Sequence, residues 1–265
     1  MNITCSAEKG VLDTEKCLAC SLAGKYNSCG YDYAVLKNMF NDSQQEARKT
    51  EIHVTDLTGC IRKAWYDKTQ ETAEYPHEML ARWIGTKIHS AVEGSDEFMD
   101  SELPVAWDGL VGKSDIVYKD GRVCDIKSTR WLIPAKTPYG SHVLQVNIYA
   151  YLLRKMGREV AKLQIQYIDA SGPTKCRACR LVVRKYEGEY RCPSCGKVIK
   201  NAHLGALLVD VPIMRDEEVL EHIQERKENL ENAMAMGIAP EKEPGYLCGY
   251  CAHLEECGPS MMEGD

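Results

Sequence analysis

Thirteen cysteines punctuate this chain, and most of them fall into sets with the spacing of metal ligands. The number is odd, and the N-terminus, MNITCSAEKGVLDTEKC, lacks the basic start and apolar stretch of a secretory signal. In a reducing compartment such cysteines hold metals rather than disulfides. Cys176, Cys179, Cys192 and Cys195 form two CxxC pairs, the second within CPSCG, which is the pattern of a zinc ribbon. Four thiolates close a tetrahedral site and leave no position for substrate, so this zinc is expected to be structural. Cys248, Cys251 and Cys257 make a triad that needs a fourth ligand and suits zinc or iron–sulfur. Cys5, Cys17, Cys20 and Cys29 hold a single CxxC; they admit either a second zinc site or a loosely ordered cysteine-bearing tail. Cys124 stands alone in a strand pattern and reads as a core thiol.

Composition narrows the class. At 265 residues, 44% hydrophobic and 27% charged, the chain suits one large domain or a catalytic domain with small appendages. A mainly disordered, collagen-like or coiled-coil protein is excluded. No apolar run approaches the roughly 20 residues that span a bilayer, so no membrane association and a cytoplasmic location are expected. The net charge of −6 announces no global positive field. Any contact with DNA needs a local basic groove, for which Arg62, Lys63, Lys113, Arg130 and Lys136 are the candidates.

The pattern predicts helices over 31–40, over 56–68 with Thr55 as N-cap, and from His77 to about Phe98. Residues 102–116 read as extended with a turn at Asp108-Gly109, and a strand over 122–128 follows the hairpin signal Asp120-Gly121. A helix over 141–156 ends at Gly157; strands over 161–170 and 205–212 flank a compositionally distinct block, 174–200. A charged helix over 217–236 leads to the last cysteines. The order describes a mixed α/β domain. Four segments are expected: a cysteine-bearing piece over 1–30, N-terminal helices and core over 31–173, the insertion over 174–200, and the last strand, helix and cysteines over 201–265.

Between His89 and Tyr149 lies the most specific chemistry. Asp115 ends GKSD on one predicted strand, and Asp125 and Lys127 lie in CDIKS on the next. Alternation puts Asp125 and Lys127 on one face and Ile126 on the other. Two carboxylates brought together across a hairpin repel each other unless a cation sits between them, and oxygen ligands suit Mg²⁺ or Mn²⁺. An ammonium beside them can polarise a water or stabilise charge on phosphorus. A bare D-x-K read alone would be a solvated hairpin edge. Glu102 opens the preceding strand, either as a further carboxylate near the site or as a surface residue.

Taken in order, these pieces resemble the PD-(D/E)XK nuclease superfamily, in particular its RecB-like branch and the CRISPR-associated RecB-like exonucleases. The resemblance rests on GTKIH ending in His89, GKSD ending in Asp115, DIK over 125–127, and Gln145 with Tyr149 one helical turn on. Upstream, Cys60, Arg62 and Tyr66 in TGCIRKAWY match a Cys-x-Arg-x-x-x-Tyr segment, and downstream CGYCAHLEEC matches a terminal cysteine triad.

The resemblance implies a restriction-endonuclease-like core, a mixed sheet flanked by helices, to which the zinc-ribbon insertion is added. It implies that His89, Asp115, Asp125 and the Ile126 carbonyl ligate the divalent metal, that Lys127 is the catalytic lysine, and that Gln145 and Tyr149 orient the lysine or the DNA backbone. It makes Cys60 the fourth ligand of Cys248, Cys251 and Cys257 around a [4Fe–4S] cluster that staples the tail to the N-terminal part. The expected activity is metal-dependent hydrolysis of DNA, as an exonuclease on single strands or ends, in CRISPR spacer acquisition or in recombination and repair. The resemblance also implies an integrase complex or a helicase as partner, and with no Walker-type motif in the sequence any motor is expected to be another chain. The alternative is a non-catalytic DNA-binding or assembly module built on the same fold.

Overall fold

The computed structural model describes residues 2–5, 10–23, 29–43, 50–70, 74–94, 96–245, 248–249 and 251–258. Parts of the 1–30 piece and the end of the tail therefore lie outside the described residues. Among these residues, no helix is long and apolar enough to cross a membrane. The chain divides into two compact units, one made of 1–87 with 222–265 and the other of 88–221.

The first unit begins with a short antiparallel hairpin, β1 (Asn2–Thr4) and β2 (Val11–Asp13), followed by α1 (Thr14–Leu22) and α2 (Tyr33–Ser43). Asp13 caps α1, its carboxylate accepting from the Lys16 N–H. Ile3, Leu36, Met39, Phe40 and Met79 form this unit's apolar cluster. After β3 (Ile52–His53) the helix expected over 56–68 is two helices, α3 (Val54–Thr58) and α4 (Ile61–Thr69). The cap differs as well. Asp56 accepts from the His53 N–H at 2.8 Å, making His53 rather than Thr55 the N-cap of α3. Cys60 is extended (φ −70°, ψ 119°) and is the N-cap of α4. α5 (Pro76–Ser90) ends well short of Phe98.

The second unit is a mixed sheet. β4 (Met99–Trp107), β5 (Leu110–Tyr118) and β6 (Arg122–Thr129) form an antiparallel meander; α6 (Gly140–Lys155) then crosses over to β7 (Lys162–Asp169), parallel to β6. A parallel neighbour requires such a crossover, and a helix supplies it. Two left-handed residues, Asp108 (φ 49°) and Gly109 (φ 74°), make the β4–β5 connection a primed turn that follows strand twist. At Gly121 φ is +83° and a Cβ would meet the Ala161 nitrogen at 3.1 Å, so glycine is required on both counts. β8 (Arg184–Tyr186) and β9 (Glu189–Arg191) pair as a small hairpin inside the cysteine-bearing insertion. β10 (Ala206–Val211) returns antiparallel to β7. α7 (Asp216–Met236) and α8 (Leu254–Cys257) complete the chain.

Behind the sheet, Ile116, Cys124 and Ile126 form an apolar cluster with Ile88, Val92, Met99 and Ile168 packed against it. This cluster takes the even-numbered face of β6. The odd-numbered face, carrying Asp125 and Lys127, is left for polar chemistry.

Candidate active site

Strand register explains how the carboxylates meet. β5 and β6 pair Val117 with Val123 and Ile116 with Cys124; the ladder ends there, and the same register continued one residue brings Asp115 beside Asp125, near enough that its charge raises the Asp125 carboxyl. β4 and β5 pair Ser101 with Ile116 and Leu103 with Ser114, which sets Glu102 opposite Asp115. Three acids therefore fall in one row across three neighbouring strands. Like charges directly opposite one another destabilise a sheet. Glu102 adds backbone strain, since it is left-handed (φ 49°) within a strand, a conformation that costs a non-glycine residue about 1–3 kcal/mol.

The groups around that row are specific. The Ile126 N–H donates to Asp115 Oδ2 at 2.6 Å, fixing that carboxylate, while His89 Nδ1 lies 3.3 Å from Asp115 Oδ1 and 3.7 Å from Glu102 Oε1. Lys113 Nζ holds the other side of Glu102 at 3.1 Å. The bond to Asp115 raises the His89 pKa against the opposing effect of burial. The imidazole thus stands where a metal cation would neutralise the same oxygens.

Asp125 is only 1% exposed. Lys127 Nζ approaches its Oδ2 at 2.9 Å, an ion-pair distance without hydrogen-bond alignment, and Oδ1 meets no donor. Burial pushes the Asp125 carboxyl up to about 6, although the Lys127 charge pulls the other way. A buried carboxylate oxygen without a donor, beside a second carboxylate and an imidazole, suits a hard divalent cation. Among the described residues, His89, Glu102 and Asp115 bring one ligand atom each within 4.8 Å of one another.

Gln145 and Tyr149 face the same side of α6, and Gln145 Nε2 donates to the Tyr149 hydroxyl at 3.2 Å, both side chains being buried. Two residues that the sequence reading passed over complete the polar wall. Tyr167 sits beside Lys127 in the parallel ladder, and its hydroxyl is 3.0 Å from His142 Nδ1. Burial, then the Lys127 charge, lowers the His142 pKa to about 4, so this imidazole is neutral. A parallel pairing between strands separated by a helix leaves no local sequence signal, which is why Tyr167 is hard to foresee.

The second group of metal-capable side chains is Cys176, Cys179, Cys192 and Cys195, again within 4.8 Å, with the Cys176 and Cys195 sulfurs 3.9 Å apart. Backbone N–H groups of Cys195 and then Ser194 pull the Cys192 thiol down to about 6, whereas the hydrogen bond with Cys195 pushes Cys179 up to about 11. Four sulfurs this close cannot all ionise without a cation among them. The donor set fits zinc.

In the first unit, Cys60 caps α4, and the segment bearing the last cysteines lies along the same helix. The Tyr66 hydroxyl donates to the Glu256 carbonyl at 3.2 Å, the His253 ring stacks on Tyr66 at 5.0 Å, and His253 Nε2 is 2.6 Å from Asp67 Oδ1. Burial raises the Cys251 thiol, and the charge of nearby Cys60 adds to it; among the described residues, however, no three of Cys60, Cys248, Cys251 and Cys257 bring their sulfurs within 4.8 Å of one another. Cys17 and Cys20 lie on α1, Cys17 packing against the apolar cluster. Among the described residues, Cys5, Cys17, Cys20 and Cys29 do not form a further group of that tightness. Cys124 is buried, and burial pushes its thiol up to about 11, which makes it inert.

Three of the five expected groove cations are otherwise engaged. Arg62 donates to the Pro240 carbonyl at 2.7 Å, Lys63 pairs with Asp67, and Lys113 pairs with Glu102. Arg130 and Lys136 are exposed.

Fold and site together define a class: an α/β protein that gathers carboxylates, an imidazole and a lysine along one face of a mixed sheet. The model of the PD-(D/E)XK nuclease superfamily matches residues 29–258, and the chain belongs to that superfamily. Among solved structures the chain is similar to SSO0001 (16% identity, 84% of this chain and 94% of that one, TM-score 0.45). It is also similar to an alkaline exonuclease, LHK-Exo, from Laribacter hongkongensis (11%, 71% and 92%, TM-score 0.39). A third is a phage-related exonuclease from Haemophilus somnus 129PT (11%, 78% and 96%, TM-score 0.35). No curated protein matches the chain.

Proposed function

We propose that the chain is a metal-dependent deoxyribonuclease, an exonuclease acting on single-stranded DNA or DNA ends. The observation that carries this reading is Asp125: a buried carboxylate with an oxygen that no donor meets, flanked by Asp115 and held beside Lys127. A scaffold has no reason to keep that arrangement, since burying a carboxylate whose other oxygen no donor meets, beside a second carboxylate, costs several kcal/mol that one lysine does not fully repay.

His89, Asp115, Asp125 and the Ile126 carbonyl would hold Mg²⁺ or Mn²⁺, with Glu102 as a neighbouring carboxylate. When bound, the cation supplies Lewis acidity and a water of lowered pKa. The chain's own groups do the rest. The Ile126 N–H keeps Asp115 from rotating. His89 would ligate through Nδ1, the nitrogen that faces Asp115 and Glu102. Lys127, now beside Asp125, would offer its ammonium to the phosphate or to the attacking water, and Gln145 with Tyr149 would back the site from α6. Neutral His142, bonded to Tyr167 beside Lys127, adds no second positive charge to compete with that lysine.

We read Cys60, Cys248, Cys251 and Cys257 as the ligands of a [4Fe–4S] cluster and the ribbon cysteines as a structural zinc site. Participation in CRISPR spacer acquisition or in recombination and repair, beside an integrase complex or a helicase, rests on the motif resemblance alone.

The test is direct. With labelled single-stranded and blunt-ended DNA, the purified protein should cut only when Mg²⁺ or Mn²⁺ is added. Asp125→Ala or Lys127→Ala should lower the rate by roughly a thousandfold and leave DNA binding largely intact. Native-rate cutting by Asp125→Ala would show that the active site lies elsewhere.

A further inference from the structure

Trp131 is 81% exposed, more than any other large hydrophobic side chain among the described residues. Tryptophan is highly buried on average, so an indole standing almost entirely in water needs a reason. Loose attachment is not that reason here. The next residue, Leu132, is buried, and its N–H donates to the buried Asp169 carboxylate at 2.9 Å. The Trp131 N–H itself donates to Thr129 Oγ1 at 3.2 Å. Asp169 is in turn held by Ser171, whose hydroxyl donates to it, and lies 3.3 Å from His203 Nε2. The loop is tied down on both sides of a ring that it leaves bare.

Position and charge say what the ring is for. Trp131 follows Lys127 by four residues, which at strand rise is a reach of about 13 Å at most. Arg130 precedes it and Lys136 follows on the same loop, both exposed, and neither has an ion-pair partner among the described residues. The indole has no aromatic or cationic partner there either. An exposed aromatic plane between unpaired cations is the combination that binds single-stranded nucleic acid: the ring stacks a base and the cations meet its phosphates.

We propose that Trp131 is a base-stacking platform for single-stranded DNA, holding an unpaired base next to the scissile phosphate, with Arg130 and Lys136 on the flanking phosphates. This rests on the nuclease reading of the neighbouring site and adds to it the preference for an unpaired strand. In a duplex each base is already stacked on both faces and has no free face to offer the ring.

The experiment separates the two readings. In EDTA, where no cutting occurs, an oligodeoxythymidylate is titrated into the wild-type protein and tryptophan fluorescence is followed. The expected result is quenching that persists in Trp107→Ala, the other strongly exposed tryptophan, and disappears in Trp131→Ala. Affinity of Trp131→Ala for the oligonucleotide, by anisotropy of a labelled strand, should fall about fivefold to a hundredfold, with Trp131→Phe retaining most of it. The salt slope should stay unchanged in Trp131→Ala and flatten by about 0.7 in Arg130→Gln, the loss of one phosphate contact. With metal added, Trp131→Ala should raise KM on single strands with little change in kcat and no change on blunt duplex. Equal affinity of Trp131→Ala and wild type for the single strand overturns the proposal even if both cut DNA. Trp131-dependent binding in a protein that cuts nothing keeps the platform and rejects the nuclease.

Discussion

Asp125 is a carboxylate with almost no water, and its energetics run in opposite directions for stability and for function. Its pKa in the folded protein, about 6, lies above the ordinary 3.8. Between those values the folded state holds a proton that the unfolded chain has released. Metal-free protein is therefore expected to lose stability as pH rises from about 4 to 6 and to stay at the lower level above that window. Asp125→Asn should remove this pH dependence and raise the Tm of the metal-free protein at pH 7.5 by roughly 2–8 °C. Mn²⁺ should stabilise the wild type and not the variant. A thermal-shift series across pH that shows Asp125→Asn less stable than wild type in EDTA would mean that the carboxylate is satisfied by protein. At this scale the sequence reveals Asp125 and Lys127, because D-x-K on a strand places both on one face. Glu102 could not be assigned in advance. Its place depends on the register of two hairpins at once and on a left-handed φ that no glutamate advertises.

Among the elements, those legible in advance carry strong local signals: the Asp-Gly turns, the apolar period of α6 and the glycine that follows it. The split between α3 and α4 was hidden because residues 56–68 are patterned as one helix. Gly59 and Cys60 in extended backbone break it and leave Cys60 as the N-cap of α4 rather than within a helix. The insertion is the reverse case, since its cysteine spacing announces it more clearly than its strands of three residues do. Its root is closed by two hydrogen bonds, Thr174 N–H to the His203 carbonyl (3.0 Å) and His203 N–H to Thr174 Oγ1 (3.1 Å). An element closed at its own base should be separable. Replacing 176–200 with a short glycine linker is expected to remove one zinc per chain by metal analysis and to change the Tm of the remainder by no more than about 2 °C, a surface-like effect. Collapse of the whole protein on deletion would mean that the ribbon supports the sheet. Eight cations against two carboxylates leave the insertion at +6 in a chain of net −6. A zinc ion with four thiolates lowers this to +4, still a local patch that the deletion should expose as weaker, more salt-tolerant DNA binding.

Across the whole molecule, the tail contacts make a case for the cysteine centre. Cys60 and Cys248 are 188 positions apart, and closing a loop of that length in the unfolded chain is entropically expensive, so a bond across it stabilises the fold. Protein purified without oxygen is expected to be brown from thiolate-bound iron. Cys257→Ala should bleach it and lower both Tm and nuclease rate, while Tyr66→Phe, which loses the hydrogen bond to the Glu256 carbonyl and the long one accepted from Arg62, should keep the colour and cost about 1–2 kcal/mol. A colourless anaerobic preparation with zinc on these thiols would reject the cluster and retain the cross-link. The unit that contains these four cysteines is discontinuous in sequence: its first part ends at Lys87 and its second begins at His222, before and after the residues 88–221 that carry Asp115, Asp125 and Lys127. On the ribosome, chains emerge from the N-terminus and domains fold as they are completed. The sheet unit can finish while the other still lacks its closing segment, and the last cysteines are made after every residue of the nuclease site. If those cysteines hold a metal centre as proposed, its ligand set is complete only after the whole of the sheet unit has been translated.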